Sequence, residues 1–170
     1  LPEVFAVVNL TQKERMLLQD QKSHEEICIQ KYTNYAQEAQ DPELKQLFAD
    51  YAEQERQHLN TINQMLNGEV PNLQQGRQSR QQQLQQQKQF VQFRDQPVPM
   101  QGATANEKDA ALCNDLLMTE KYVSGTYDTA IFEFTNTAMR QALNHIQKEE
   151  QQHGEGIFNY MQSRGMYNPQ

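Results

Sequence analysis

The sequence predicts an all-α fold: a four-helix bundle made of two antiparallel αα-hairpins joined by a long crossover. Three observations lead there. Four segments carry apolar residues at the 3.6-residue period of a helix. Short turn signals tie the first segment to the second and the third to the fourth. The chain also repeats itself: displaced by 95 residues, Lys13 falls on Lys108, Asp20 on Asp115, Glu25 on Glu120, Tyr32 on Tyr127, Glu38 on Glu133, Glu55 on Glu150, Gln57 on Gln152 and His58 on His153. A duplicated hairpin explains these matches together with the matching apolar rows.

Each element has its own signals. Residues 1–10 read as an apolar, extended N-terminal arm. The first helix is expected over 11–39, opened by the capping box Thr11-x-x-Glu14. The second is expected over 42–67. Asp41 serves as its N-cap, Pro42 takes the first helical position, and Glu43 suits the positive end of the helix dipole. Gly68 is placed to end it. A glutamine-rich crossover follows over 69–105, broken in its second half by Pro97, Pro99 and Gly102. Phe90, Val91 and Phe93 of this stretch are expected to lie against the bundle. The third helix is expected over 106–134 and the fourth over 137–163. Gly165 closes the fourth and opens the tail 164–170. Residues 11–163 thus form one domain.

Composition excludes several classes. A net charge of −7 and a pI near 5 leave no basic stripe for nucleic acid. No apolar run reaches the roughly 18 residues of a membrane span. The opening Leu1-Pro2-Glu3-Val4 has no basic segment, so no signal peptide is seen. Cys28 and Cys113 are far apart and in no zinc-like spacing, which favours a reducing compartment and two small buried hydrophobes. Glutamine makes up about one residue in six and concentrates between Gln74 and Gln92. That segment reads as a solvated linker or a polar surface helix.

The chemistry lies where polar residues interrupt the apolar stripes. Helix two presents Leu44, Leu47, Phe48, Tyr51, Ala52, Glu55, His58, Leu59, Ile62, Met65 and Leu66 on one face; helix four presents Met139, Ala142, Leu143, Ile146, Glu150, His153, Ile157, Tyr160 and Met161. In each, the intruders are a Glu and the His three residues later, adjacent on a helix surface. Helices one and three each carry a single mid-stripe carboxylate, Glu25 and Glu120. Glu25 and Glu55 lie about 15 residues either side of the first turn, and Glu120 and Glu150 do the same around Thr135. In antiparallel hairpins this puts all six residues roughly 22 Å from a turn, in one layer.

Buried carboxylates without partners cost several kcal/mol or take up protons, and four of them repel one another. Two divalent cations remove both difficulties. Ferritin-like carboxylate proteins use this donor set: one Glu from each of two helices and a Glu-x-x-His from each of the other two. Glu25, Glu55, His58, Glu120, Glu150 and His153 are therefore the candidate metal ligands, and the bundle is expected to be ferritin-like. Carboxylate oxygen and imidazole suit iron or manganese, with zinc a weaker fit. The bland alternative is a relic layer in which Glu and His satisfy one another without metal. Tyr32 and Tyr127, two turns beyond Glu25 and Glu120, are candidates to hydrogen-bond a ligand carboxylate or to act as redox neighbours. Core tyrosines with a polar tip are the ordinary reading. His24 and His145 fall off the stripes and read as surface residues.

The second half resembles the spore coat F family of endospore-forming Firmicutes. The carrying segments are Asn114-Asp115-Leu116-Leu117-Met118-Thr119-Glu120-Lys121-Tyr122, Tyr127-Asp128-Thr129-Ala130-Ile131, Glu149-Glu150-Gln151-Gln152-His153 and the ending from Tyr160 to Pro169. They cover roughly residues 106–169. The resemblance implies a ferritin-like protein made in the mother-cell cytoplasm and deposited in the spore coat, assembling with itself or with other coat proteins. It also implies the metal positions of that fold, shared with rubrerythrins and manganese catalases. Rubredoxin-type cysteine knuckles are absent from the sequence. The expected function is structural; the alternative is a di-iron or dimanganese redox enzyme consuming peroxide or oxygen. A closed iron-storage cage is a third reading. Spore coats undergo glutamine–lysine cross-linking, and the glutamine-rich segment with Lys88 is a candidate substrate.

Overall fold

The structure, a computed structural model, describes residues 7–73 and 106–167. The chain divides into two compact units: residues 1–71 with 105–170, and residues 72–104. The first unit contains four long helices: α1 (Gln12–Glu38), α2 (Pro42–Leu66), α3 (Glu107–Glu133) and α4 (Thr137–Ser163). The expectations for most of the arm, for the glutamine-rich segment with Phe90, Val91 and Phe93, and for the end of the tail lie outside the described residues.

The helix ends follow the local chemistry of the sequence. Thr11 and Glu14 form the capping box, each side chain accepting the other's backbone N–H. Asp41 accepts the Glu43 N–H at the head of α2, with Pro42 at the first position. Asn106 and Asn136 cap α3 and α4 in the same way. Gly68 and Gly165 adopt positive φ of 78° and 69° and close α2 and α4. In both, the next N–H reaches back to an orphan carbonyl: Glu69 to Gln64 at 3.0 Å and Met166 to Met161 at 2.8 Å. The arm is tied down at the same glycine, where the Val8 N–H donates to the Gly68 carbonyl at 2.7 Å.

Short turns at 39–41 and 134–136 make each hairpin antiparallel. The two hairpins then pack so that α1 lies beside α3 and α2 beside α4. Along the α1–α3 seam the partners run in opposite directions: Lys13 meets Glu133, Gln21 meets Thr126, and Lys31 meets Asp115. Diagonally opposed α2 and α3 are therefore parallel. A 25-residue helix is about 37 Å long, so the end of α2 and the start of α3 lie at opposite ends of the bundle.

A reciprocal clasp fixes the two hairpins end to end. Buried Asp109, in the first turn of α3, accepts the backbone N–H groups of Gln40 and Asp41 at 2.8 and 3.0 Å. Buried Glu14, in the first turn of α1, accepts the Thr135 N–H at 3.0 Å and its hydroxyl at 3.4 Å. Positions 14 and 109, and 40 and 135, are again 95 apart, so each hairpin's helix start holds the other's turn.

The core runs the length of the bundle with a polar layer at mid-height. Toward the first turn it contains Leu44, Phe48, Leu112, Leu116, Ile157 and Met161. Toward the second turn, buried Leu18, Ile62, Met65, Met139, Leu143 and Ile146 occupy the corresponding positions. Among the described residues no helix is long and apolar enough to cross a membrane.

Candidate metal centre

All six predicted residues meet in the polar layer, and each is at most 3% exposed. The helices position them simply. Glu55 and His58 share one face of α2 and Glu150 and His153 one face of α4, while Glu25 and Glu120 project from α1 and α3 at the same height. The two imidazoles lie nearly parallel with their centroids 5.8 Å apart.

Glu55 and Glu150 are central, because each carboxylate addresses both histidines. Glu55 sets one oxygen 3.1 Å from His58 Nδ1 and the other 3.1 Å from His153 Nδ1. Glu150 sets Oε1 2.9 Å from His58 Nδ1 and Oε2 3.8 Å from His153 Nδ1. Glu25 and Glu120 are peripheral and serve one histidine each, Glu25 at 3.7 Å from His58 and Glu120 at 3.3 Å from His153. The result is two ligand quartets: Glu25, Glu55, His58 and Glu150; and Glu55, Glu120, Glu150 and His153. Within each, one donor atom per residue lies within 4.8 Å of the others. The quartets share Glu55 and Glu150.

The tyrosines complete the layer from across the α1–α3 seam. The Tyr32 hydroxyl donates to Glu120, and the Tyr127 hydroxyl donates to Glu25. Both tyrosines are fully buried, and burial followed by the surrounding carboxylates pushes their pKa values well above the ordinary range. They are hydrogen donors here at any ordinary pH.

The protons of the carboxylate layer are unevenly held. For Glu55 and Glu150, burial is the largest influence and the neighbouring carboxylates reinforce it, so both sit well above the usual carboxylate range. Burial works the same way on Glu25. The neighbouring Glu55 and His58 and the Tyr127 hydroxyl outweigh it and hold Glu25 at about 2. Glu120 is lowered for the corresponding reason, by Glu150, His153 and Tyr32. His58 would be lowered by burial, yet Glu149, Glu150, Glu25 and Glu55 raise it well above its ordinary value.

The donor set passes a simple test of fit for divalent cations. One oxygen each of Glu25, Glu120 and Glu150 is buried and makes no hydrogen bond, as does Nε2 of His58. Buried polar atoms are almost always satisfied, and three orphan carboxylate oxygens converging on one layer are compatible with a cation held there. Carboxylate and imidazole donors match iron, manganese or zinc.

Four residues escaped the sequence reading. Tyr51 stacks on His153, with centroids 4.2 Å apart and an interplanar angle of 25°. Its hydroxyl is packed against Gly156, so close that a Cβ there would lie 1.8 Å away. Only a glycine on α4 admits this ring, and the pairing of Tyr51 with Gly156 is invisible in either stripe alone. Gln54 and Glu149 lie at the outer nitrogens of His153 and His58, at 2.6 and 3.9 Å. Both fall beside the motif glutamates, which is the one sequence signal they give. The expectation that His145 is a surface residue is corrected. It is half-buried and paired through Nε2 with Glu149, because position 145 lies one turn before 149 on the same helix face. His24 is likewise half-buried, edge-on to Tyr122 at 5.6 Å. Cys28 and Cys113 are free and buried, as expected for small hydrophobes, and burial pushes both thiols up.

Residues 108–170, which are α3 and α4 with the tail, match the Coat F domain. The uncharacterized protein YusN of Bacillus subtilis (strain 168) is 34% identical over 71 residues, 42% of this chain and 62% of that relative. The chain therefore spans less than two thirds of the relative's length. No solved structure gives a significant match. The C-terminal hairpin of this chain, which supplies Glu120, Glu150 and His153 to the layer, is thus similar to the Coat F domain.

Proposed function

We propose that this chain is a structural protein of the bacterial spore coat, of the coat F type, whose ferritin-like bundle is cross-braced by two divalent metal ions. The observation that carries the metal reading is the pair of ligand quartets that share Glu55 and Glu150. Glu25, Glu55, His58 and Glu150 would hold one ion, and Glu55, Glu120, Glu150 and His153 the other. Iron and manganese fit best, with zinc less suited to so many carboxylates. Bound metal would offset the charge of four buried carboxylates and lock all four helices at mid-height.

The coat assignment rests on the Coat F match to the C-terminal hairpin. Assembly with further copies or with other coat proteins is supported by large apolar side chains left exposed on the α1–α3 side: Met16, Ile27, Met118, Tyr122 and Phe132. Synthesis in the mother-cell cytoplasm and cross-linking through the glutamine-rich segment belong to the same reading.

A redox role is the second reading, and the observation favouring it is the ring of tyrosines. Tyr32 and Tyr127 hydrogen-bond the peripheral glutamates, and Tyr51 lies against His153. A bound iron or manganese pair would supply the electrons for peroxide or oxygen reduction. The chain's own residues would hold the ligand carboxylates in place, donate hydrogen bonds to them and keep the layer dry.

The deciding experiment is metal analysis of protein purified without chelator, beside a Glu55→Ala/Glu150→Ala double variant. About two iron or manganese ions per chain, absent from the variant, is the expected result. No metal after purification, and none after reconstitution with either ion, would leave a hydrogen-bonded polar layer. Peroxide and oxygen turnover by the loaded protein then separates the redox reading from the structural one.

A further inference from the structure

The internal two-fold that relates the hairpins is broken at the outer nitrogens of the two imidazoles. Positions 54 and 149 are 95 residues apart, and each faces the outer nitrogen of the other hairpin's imidazole. His153 Nε2 meets the amide oxygen of Gln54 at 2.6 Å. His58 Nε2 meets the carboxylate of Glu149 at 3.9 Å. The difference extends outward. Behind Glu149 stands His145, which pairs with its other oxygen; behind Gln54 stands Asp50, whose carboxylate instead accepts from Gln46 at 2.8 Å.

His58 Nε2 is the one buried ring nitrogen of the centre that makes no hydrogen bond. The inner nitrogen, Nδ1, faces Glu55 and Glu150, where a cation would sit. When Nδ1 gives its lone pair to a cation, Nε2 must carry the hydrogen and needs an acceptor. Glu149 is that acceptor, about 1 Å outside hydrogen-bond reach and held on its far side by His145. A carboxylate accepting this N–H binds roughly twice as strongly as a neutral amide and makes the imidazole a more basic ligand. Gln54, neutral, gives His153 orientation without that added basicity.

We propose that Glu149 makes the two cation positions unequal, so that the one served by His58 binds a divalent ion more tightly and fills first. The inference rests on the di-metal reading above and concerns the order of loading within it. Glu149 acts here as a positioning residue through His58.

The test uses the full chain stripped of metal, titrated with manganese(II) while the free ion is followed by electron paramagnetic resonance. The parent is expected to show two classes of site at least about tenfold apart. Glu149→Gln is expected to weaken the tighter class by about 10–100-fold and to merge the two. Adding Gln54→Glu to that variant should restore the separation with the order reversed. One equivalent of cobalt(II) reads the location: ring resonances of His58 should shift first in the parent, and those of His153 first in the swapped variant. Two equal classes in the parent, or a Glu149→Gln variant that leaves the difference between them unchanged, would overturn the inference and leave the centre intact. No binding by the parent would remove the di-metal reading itself, and this inference with it.

Discussion

Tyr32 of α1 donates its hydroxyl hydrogen to Glu120 of α3, across the seam between the two hairpins. The relation is repeated by Tyr127 and Glu25 with the helices exchanged. Tyr32→Phe would leave a buried carboxylate oxygen without its donor. Metal-free protein is expected to lose about 1–3 kcal/mol, read by urea unfolding, and Tyr127→Phe should lose a similar amount. Unchanged stability in both would mean that the tyrosines do not satisfy these carboxylates.

The end clasp gives a pH dependence. Burial alone would raise Glu14, but the backbone N–H groups of Thr11 and Thr135 and their hydroxyls outweigh it, and its pKa is lowered from 4.5. A carboxylate held below its unfolded value contributes stability that is complete above the unfolded pKa and is lost as pH falls through the folded one. Glu14→Gln should therefore cost about 1–3 kcal/mol at pH 7, and the gap to the parent should close as pH falls below about 4. A gap that stays constant down to pH 3 would show that the charge is irrelevant to the clasp.

Gly156 predicts a second-site rescue. A methyl group there would fall 1.8 Å from the Tyr51 oxygen and 3.1 Å from the ring carbon bearing it. Because Tyr51 is held by stacking on His153, the ring cannot simply swing away. Gly156→Ala is expected to destabilise the fold by about 1–3 kcal/mol despite alanine's better helix propensity. Tyr51→Phe should recover part of that loss, which thermal unfolding of the four proteins of the cycle will measure.

The carboxylate layer trades stability for binding. Glu55 and Glu150 sit well above the usual carboxylate range, so each favours its protonated form in the fold. Glutamine in their place keeps a hydrogen donor and removes the charge. The double variant Glu55→Gln/Glu150→Gln is expected to melt a few degrees higher than the metal-free parent at pH 7. Added iron or manganese should stabilise the parent, by about 2.7 kcal/mol when the ion stands at a hundred times its Kd, and leave the variant unmoved. A lower melting point in the metal-free variant would show that the two carboxylates stabilise the empty fold.

Local chemistry made much of this legible beforehand. Helix ends came from single residues: Thr11, Asp41 and Asn106 cap by short-range hydrogen bonds, and Gly68 and Gly165 supply positive φ. Such signals act over four residues and need no tertiary context. The six polar intruders were equally plain, since a Glu in an apolar stripe has no local reason to be there. Gln54, Glu149 and Tyr51 were not legible. Their partners in the centre lie on other helices, about a hundred residues away in sequence, and on their own helices the one mark is that Gln54 and Glu149 stand beside the motif glutamates.

By itself the sequence determined four amphipathic helices, their pairing into two hairpins, and the common height of six ligand-type residues, because helical period and distance from a turn fix height. It could not determine which carboxylates stand between the histidines and which stand outside. That depends on the lateral order of the helices, with α1 beside α3 and α2 beside α4. Only this packing turns Glu55 and Glu150 to the middle, gives each tyrosine the other hairpin's glutamate, and sets Glu149 against one imidazole and Gln54 against the other. Lateral order is chosen by packing and by buried hydrogen bonds between hairpins, such as those of Glu14 and Asp109, and no periodicity within one helix encodes it.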